Sequence, residues 1–242
     1  MKHSLFTKAF LLAAVLSLLL TACGGNGGEV SPPSPSIQNP RQEETQVNGN
    51  EEKSPSANSQ GGNILIAYFT ADENTEADAV TSASVVAVDS KEKGRDRAVA
   101  DMIQEVTGGD LFSIQTSVQY PADGGKLIDY ASQEQSDDVR PELTAHIENL
   151  DGYDVIFIGY PTWWYDMPQV LYSFFDEYDF TGKTIIPFNV HNGSRFSGTI
   201  STIQELEPGA TVVEDGFTVS ERSVADAAED VSAWLDQLGY VS

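Results

Sequence analysis

Cysteine, histidine and basic residues are scarce in this chain of 242 residues. Cys23 is the only cysteine, which excludes an intrachain disulfide, and the three histidines, one of them at position 3, make no metal cluster. There are 13 Lys and Arg against 37 Asp and Glu, a formal net charge of −24 at pH 7. Such a surface repels nucleic acid and anionic lipid headgroups, which argues against both as specific partners.

Long apolar runs are rare too, and the longest lies near the N-terminus. Lys2 and Lys8 precede an apolar run over 9–20 that is too short to span a bilayer comfortably, and small residues precede Cys23. The tetrad Leu20-Thr21-Ala22-Cys23 resembles the lipobox of bacterial lipoproteins. That resemblance implies a signal peptide over 1–22, lipidation of Cys23 with no thiol left, and a lipid anchor at the extracytoplasmic face of the cell membrane. An ordinary secretory signal with a chance cysteine is the alternative.

The next segment lacks large apolar side chains. Residues 24–62 are rich in Gly, Ser, Pro, Asn, Gln and Glu, and they bury too little surface to offset the entropy of ordering. The sequence therefore predicts a disordered tether over 23–62 that begins at the lipidated cysteine. Residues 63–242 remain for one folded domain, long enough for a full core.

Apolar runs and helical spacings alternate along that domain. Strands are predicted over 64–69, 111–115, 155–159, 184–190 and 211–219, and helices over 95–106, 141–150, 167–178, 199–206 and 224–238. The alternation predicts an α/β fold with a parallel sheet and right-handed crossovers. No GxGxxG follows the first strand, so a dinucleotide-binding Rossmann site is not indicated.

The most informative segment is VIFIGYPTWWYDMP, residues 155–168. Its apolar start is typical of a strand buried on both faces, and Pro161 ends that strand. Thr162, Trp163, Trp164 and Tyr165 then follow on a loop at the carboxyl edge of the sheet, where open α/β sheets bind ligands. The indoles are candidate walls for a flat aromatic ligand; the alternative is that they cap the core.

The segment GYPTWWYDMP, together with SFFD at 173–176 and DFTGK at 179–183, resembles the flavodoxin-like family, specifically bacterial FMN-binding lipoproteins and reductases. The resemblance runs from 64 to about 238. It implies a doubly wound, five-stranded parallel sheet ordered 2-1-3-4-5 in a three-layer α/β/α arrangement, with FMN at the switch point between strands one and three. It also implies electron transfer or NAD(P)H-dependent reduction of a quinone or flavin, with catalytic residues and redox partner left open. The alternative is a binding or interaction module that has lost the cofactor.

The first loop of the family, Ser/Thr-x-Thr-Gly-Asn-Thr, holds the FMN phosphate, and here it is interrupted. Thr70 and Ala71 match its start, but the helix that should follow begins near Gly94 and Arg95, so 72–93 is an insertion. Either Asn74 and Thr75 replace the family's Asn-Thr, or Gly94 and Arg95 complete the loop. The second arrangement is favoured, because a helix dipole acts only within its first turn. Arg95 or Arg97 is then a candidate cationic contact, unless both arginines are solvated.

The other two family loops surround the flavin ring. Residues 161–165 form the aromatic wall, and 189–194 resemble the loop that lines the pyrimidine edge and the other flavin face. His191 stands where the family often has a hydroxyl, so it is either a stacking, hydrogen-bonding or proton-carrying group or a surface histidine without a role. The candidate cofactor residues are Thr70, Ala71, Gly94, Arg95, Pro161, Thr162, Trp163, Trp164, Tyr165, Asn189, Val190, His191, Asn192 and Gly193.

Overall fold

The computed structural model describes residues 63–74, 85–88, 91–121 and 123–241. The predicted signal peptide, the predicted lipidation site at Cys23 and the predicted tether lie outside these residues. Within them, every helix is too short or too polar to cross a membrane.

Strands and helices alternate as the apolar patterns predict. The strands are β1 (Ile64–Tyr68), β2 (Val85–Val88), β3 (Lys91–Gly94), β4 (Asp110–Ser113), β5 (Val155–Pro161), β6 (Thr184–His191), β7 (Thr211–Val212) and β8 (Phe217–Ser220). The helices are α1 (Arg95–Thr107), α2 (Gly124–Ser136), α3 (Gln169–Glu177), α4 (Thr199–Leu206) and α5 (Ala228–Gln237). Single 3-10 turns lie at Ala71–Asn74, Leu150–Gly152 and Val224–Asp226.

The main sheet is parallel and runs in the order β4-β1-β5-β6-β7, with β8 also paired to β6. With the β2–β3 hairpin set aside, this is the predicted order 2-1-3-4-5. The switch point lies between β1 and β5, which are hydrogen-bonded neighbours. All seven residues of β5 are buried, because a strand paired on both sides and covered on both faces has no solvent side.

Helices cover both faces of the sheet, which gives the predicted three-layer arrangement. Successive residues of a strand point to opposite faces, so Ile66 belongs to one apolar cluster and Leu65 to the other. The first cluster joins the sheet to α1 and α5, including Trp234, and the second joins it to α2, α3 and α4, including Phe174. The doubly wound fold is therefore confirmed.

The predicted insertion contains an antiparallel hairpin. β2 pairs only with β3, with Val86 opposite Lys93, and together they form a second, two-stranded sheet. Val86 and Val88 pack against the cluster that contains α1. The hairpin leads directly into α1, which begins at Arg95 with Gly94 as its N-cap, as the sequence predicts.

The predicted helix over 141–150 is wrong. That segment contains an antiparallel bridge between Leu143 and Thr116, and a helix, α2, lies earlier, between the predicted strand at 111–115 and the predicted helix at 141–150. Backbone groups near Leu143 are engaged by the loop after β4: Thr144 N–H donates to Gln115 O at 2.9 Å, and Glu142 O accepts from Thr116 Oγ1 at 2.8 Å. These contacts replace the hydrogen bonds that a helix would form.

The predicted fifth strand over 211–219 is two short strands, β7 and β8. The interruption lies opposite Ile186 and Pro187 of β6, and Pro187 has no N–H to give to a neighbouring strand. A Cβ at Gly216 would collide with the carbonyl oxygen of Pro187, so the chain passes β6 closely at this point. The predicted last helix is also divided, into the 3-10 turn Val224–Asp226 and α5.

Candidate functional site

A cavity of about 570 Å³ opens at the carboxyl edge of the sheet. The turn after β5 and the loop after β6 form one part of its wall, and α2 forms another. Its lining includes the predicted residues Pro161, Thr162, Trp163, Trp164, Tyr165, Val190, His191, Asn192 and Gly193. The structure therefore brings together two of the three predicted loops around one cavity.

The turn after β5 is a tight hairpin with a strained backbone. Trp163 and Asp166 exchange two backbone hydrogen bonds, each 2.9 Å long, around Trp164 and Tyr165. Both central residues have positive φ, 49° and 66°, where Asn-Gly would be the usual pair. Each bulky residue in this region costs on the order of 1–3 kcal/mol. Asp166 holds the turn through its carboxylate, which accepts from Tyr172 Oη at 2.9 Å.

The two tryptophans have different surroundings. Trp163 is half-buried and meets Phe69 and Tyr120 edge to face, with ring centroids 5.7 and 5.5 Å apart. Trp164 is 48% exposed, and its indole N–H donates to the carbonyl oxygen of Ile128 in α2 at 2.9 Å. Trp163 is thus both core and cavity wall, whereas Trp164 bridges the turn to α2 and keeps much of its ring accessible.

Asn189 does not line the cavity. It is fully buried, and its Nδ2 donates to the carbonyl oxygen of Arg195 at 2.9 Å and to the hydroxyl of Thr162. Thr162 Oγ1 donates in turn to the same carbonyl oxygen at 2.7 Å. Asn189 therefore lies behind the site and fixes the loops after β5 and β6 relative to each other.

His191 lies on the cavity wall as a neutral ring. Its Nδ1 accepts the backbone N–H of Gly193 at 2.8 Å, so the proton of the neutral imidazole is on Nε2. Burial lowers the pKa of His191, the charge of Arg195 lowers it further, and Glu221 opposes both. Near neutral pH, His191 is therefore a hydrogen-bond donor through Nε2, in a tautomer set by the loop.

The two ends of the interrupted first loop meet in space. Thr70, Ala71 and Gly94 are all buried, and a Cβ at Gly94 would collide with the side chain of Thr70. Only glycine lets the start of α1 approach the end of β1 this closely. The two halves of the interrupted loop therefore remain in contact.

Asn74 has a structural role. Its Nδ2 donates to Thr70 O at 3.0 Å and to Ile114 O at 3.3 Å, and its Oδ1 accepts from Thr116 N–H at 2.9 Å. The side-chain amide is buried, and these backbone contacts occupy its hydrogen-bonding groups, so it is not available to bind a phosphate. Thr75 lies outside the described residues. Of the two arrangements considered from the sequence, the geometry favours Gly94 and Arg95.

Arg95 and Arg97 differ in their partners. Arg97 donates to Asp101 at 2.6 Å, to Tyr68 Oη at 2.6 Å and to Glu73 at 3.4 Å, so its charge is used within the protein. The Nε and Nη1 atoms of Arg95 are buried without a hydrogen-bond partner among the described residues. Burial lowers the pKa of Arg95, while Glu221 and Asp96 act in the opposite direction. Among the described residues, Arg95 also forms no ion pair.

The first turn of α1 lies next to the cavity wall. Arg95 interacts electrostatically with Glu221, and the buried carboxyl of Asp96 lies near the backbone of Val190. Glu221 and Val190 both line the cavity. Burial raises the pKa of Asp96 well above its usual value, which favours the neutral carboxyl over a charge that would repel an anion. The N-cap Gly94 offers no side chain to the first N–H groups of α1.

These features fit a ligand with a flat ring and an anionic group. The cavity offers indole surface and the donor of His191, and α1 next to it offers uncapped N–H groups and an unpartnered guanidinium. Backbone N–H groups at a helix N-terminus bind phosphate well. The residues present are therefore suited to a flavin with a phosphate tail.

The residues that α2 contributes to the site are not predicted from the sequence. Leu127, Ile128 and Ala131 line the cavity, as do Ser194 and, after β8, Glu221. The signal for α2 is its N-cap, since Asp123 accepts the backbone N–H of Lys126 at 2.9 Å, and an Asp shortly before the first apolar residue, here Leu127, is typical of a helix start. No local signal identifies Glu221, which reaches the cavity through the pairing of β8 with β6.

Comparison with known proteins agrees with this geometry. The family model for Flavodoxin matches residues 63–238. Flavodoxin 1 of Salmonella typhimurium is 34% identical over 86 residues, which cover 31% of this chain and 49% of that protein. The chain thus matches about half the length of this curated relative.

Two solved structures cover almost the same domain. A candidate flavoprotein from Bacteroides eggerthii is 27% identical, with a TM-score of 0.55, and the match covers 76% of this chain and 100% of that one. Another from Bacteroides uniformis is 28% identical, with a TM-score of 0.56, over 73% and 99% of the two chains. Since the family model covers well over half of the sequence, this chain belongs to the flavodoxin family.

Proposed function

We propose that this protein binds FMN and works as a redox protein at the outer face of a bacterial membrane. The observation that carries the proposal is the cavity at the carboxyl edge of the sheet, walled by Trp163 and Trp164, next to the first turn of α1, where two nitrogen atoms of Arg95 are buried without a hydrogen-bond partner among the described residues. FMN, when bound, supplies one- and two-electron transfer. The protein supplies binding, orientation and electrostatics.

Each loop has a distinct part in holding the cofactor. Trp164 offers the accessible indole face, and Trp163 supports it from the core side. His191 offers the Nε2–H donor from the loop after β6. Arg95 and the first N–H groups of α1 hold the phosphate, and the raised pKa of Asp96 lessens repulsion from that carboxyl.

Binding energies show why the phosphate contacts matter. Burying roughly 200 Å² of apolar flavin surface contributes about 5 kcal/mol, and stacking on an indole adds about 0.5–1.5 kcal/mol. A nanomolar cofactor requires about 12 kcal/mol after association costs. The ring alone falls short, so charge-assisted hydrogen bonds from Arg95 to the phosphate must supply much of the difference.

The proposed setting follows from the N-terminal sequence. A lipid on Cys23 and a flexible tether over 24–62 hold the domain near the membrane, where it transfers electrons or reduces a quinone or flavin with NAD(P)H. The acidic surface favours a basic partner or a small-molecule partner over nucleic acid. Retention of the cofactor is supported by the open cavity, on whose wall the ring of Trp164 remains 48% exposed.

The purified chain, titrated with FMN and with riboflavin, tests the proposal. We expect a yellow complex with quenched flavin fluorescence, and we expect Arg95→Ala to weaken FMN binding at least tenfold while riboflavin, which has no phosphate, is unaffected. Arg222→Ala is the matched control, because Arg222 is an exposed arginine near the same edge, and it should change neither affinity.

Absence of binding by either flavin in the unmodified protein would contradict the proposed function. Equal weakening of FMN and riboflavin by Arg95→Ala would show that Arg95 supports the fold rather than the phosphate.

A further inference from the structure

Helix α2, which forms part of the cavity wall, carries a buried acid outside the cavity lining that the proposed binding scheme leaves unused. Glu134 lies on α2, three residues after Ala131 and seven after Leu127, so it shares a helix face with two residues that line the cavity. Its side chain sits on the buried side of α2, and the residue is only 5% exposed. A carboxyl group in this position is unusual, because charged residues are rarely buried unless they are paired.

Glu134 has one weak partner. The hydroxyl of Tyr120 donates to its two oxygens at 3.3 and 3.4 Å, at the long end of hydrogen-bond distances. The titratable groups that face it are Tyr120, in the segment after β4, and Tyr130, on α2 itself; no cation among the described residues forms an ion pair with it. Burial raises the pKa of Glu134 to about 7.

A chain of contacts links this carboxyl to the wall of the cavity. The ring of Tyr120 meets Trp163 edge to face, with centroids 5.5 Å apart, and Trp163 lines the cavity. On the same helix, Ile128 both lines the cavity and accepts the indole N–H of Trp164. A displacement of α2 that hydrated Glu134 would therefore disturb contacts of both tryptophans.

We propose that Glu134 is a positioning residue whose neutral form holds α2 and the Tyr120–Trp163 pair in the binding arrangement, so that flavin binding takes up a proton. This inference rests on the proposed function. A bound ring excludes water from the wall formed by α2, which further disfavours a charge on the buried carboxyl. By linkage, a group that binds its proton more tightly in the complex makes the affinity depend on pH.

The direction of the effect follows from that linkage. Below pH 6 Glu134 is neutral with or without flavin, so the affinity does not change with its protonation. Above pH 7 the free protein must first take up a proton, and the dissociation constant rises by up to about tenfold per pH unit until the pKa of the complex is reached. The expected result is binding at least threefold weaker at pH 8.5 than at pH 6.

The test is a set of riboflavin and FMN titrations from pH 5.5 to 9 with Glu134→Gln and Glu207→Gln. Riboflavin avoids the ionisation of the phosphate, whose second pKa is about 6. Glu207 is the matched control: it is buried, and burial raises its pKa to about 7, but it contacts Phe180 before β6, at the opposite edge of the sheet. We expect Glu134→Gln to remove the pH dependence and Glu207→Gln to keep it.

Calorimetry gives a second measurement. Titration at pH 7.5 in two buffers with different ionisation enthalpies should show uptake of a fraction of a proton by the unmodified protein and none by Glu134→Gln. Should Glu134→Gln fail to fold, Tyr120→Phe is the second variant, because it keeps the ring against Trp163 and removes only the hydroxyl. Loss of the hydroxyl that stabilises the ionised carboxyl raises the pKa of Glu134. The fall in flavin affinity should therefore begin at higher pH.

The possible outcomes separate the two proposals. Identical pH profiles for the unmodified protein and Glu134→Gln, with flavin bound by both, would overturn this inference and leave the proposed function intact. Failure of flavin to bind at any pH would contradict the proposed function itself and, with it, this inference.

Discussion

Neighbouring residues of the same type have unlike roles at this site. Trp163 is held by Phe69 and Tyr120 in the core, whereas Trp164 is half exposed and contacts α2 through a single hydrogen bond. Both line the cavity, so ligand affinity alone does not separate them. Protein stability does, because only Trp163 has lost most of its contact with water.

Substitution of each tryptophan by alanine should therefore give different pairs of effects. Trp163→Ala should lower the free energy of unfolding by about 3 kcal/mol, as expected for removal of a large packed side chain, and should weaken flavin binding as well. Trp164→Ala should weaken binding at least tenfold and change the stability by less than about 1 kcal/mol. Urea denaturation and flavin titration of both variants measure the two effects. Equal stability losses would contradict this assignment.

Residue positions at the site are predictable from topology, but side-chain directions are not. The residues after β5 and β6 were expected at the carboxyl edge because parallel strands end there together, and the structure places them around the cavity. Asn189 lies near the end of β6, at the same edge, yet its amide points inward to Thr162 and to the carbonyl oxygen of Arg195. That direction depends on the path of residues 194–197, where Arg195 and Ser197 have positive φ, and no spacing in the sequence encodes it.

At the scale of elements, the start of α1 is assembled from distant parts of the chain. Thr70 ends one half of the loop and Gly94 begins the other, and the β2–β3 hairpin lies between them in sequence. The sequence therefore contains the phosphate-binding loop as two separate fragments and not as one contiguous motif. The contact between Thr70 and Gly94 arises because β1 and α1 pack in the same apolar cluster.

Two N-cap glycines allow this assembly to be tested. Gly94→Ala places a methyl group against Thr70 and should lower the free energy of unfolding by about 1–3 kcal/mol, through overpacking, and weaken FMN more than riboflavin. Gly198 is the N-cap of α4, and a Cβ there meets nothing within 4 Å. Gly198→Ala should therefore leave both flavin affinities unchanged. Thermal denaturation and flavin titration are the measurements, and equal effects of the two substitutions would contradict the close approach.

Helix α2 is hard to predict from the sequence because of Glu134, the same buried acid that is proposed to position the cavity wall. Apolar residues in α2 follow helical spacing at 127 and 131, but the next position on that face is Glu134. The hydrophobic pattern is therefore interrupted, and two glycines at the start lower the helix propensity further. The strands were easier to predict, because a buried parallel strand such as β5 is apolar at nearly every position.

Across the molecule, the excess of acidic groups and the raised pKa values of several buried carboxyls both make the folded state less stable as the pH rises. Burial raises the pKa of Glu134 and of Glu207 to about 7 and that of Asp96 well above its usual value. Each of these groups binds its proton more tightly in the folded state. Their contribution to stability is present below pH 4.5 and is lost as the pH rises through 7. Glu177 and Asp179 are nearer the surface and have lowered pKa values, so their contribution to stability is lost as the pH falls. That opposite effect is confined to more acidic solution.

Stability should therefore decline between pH 6 and pH 8.5, by on the order of 1–3 kcal/mol. The physical reason is that ionising a buried carboxyl is costly and adds to the repulsion within a chain of net charge −24. Thermal denaturation followed by circular dichroism measures the change. The double variant Glu134→Gln with Glu207→Gln should be less sensitive to pH over this range. A denaturation midpoint that rises steadily toward pH 8.5 would contradict the expectation.

The hairpin at Trp164 and Tyr165 has a consequence for how this domain responds to selection. Two bulky aromatic residues occupy left-handed positions that asparagine and glycine fill at lower cost. Laboratory evolution for heat resistance alone should therefore favour glycine at position 165, while evolution for cofactor retention should keep the aromatic pair. At this turn, substitutions that raise the thermal stability of the domain are expected to weaken cofactor binding.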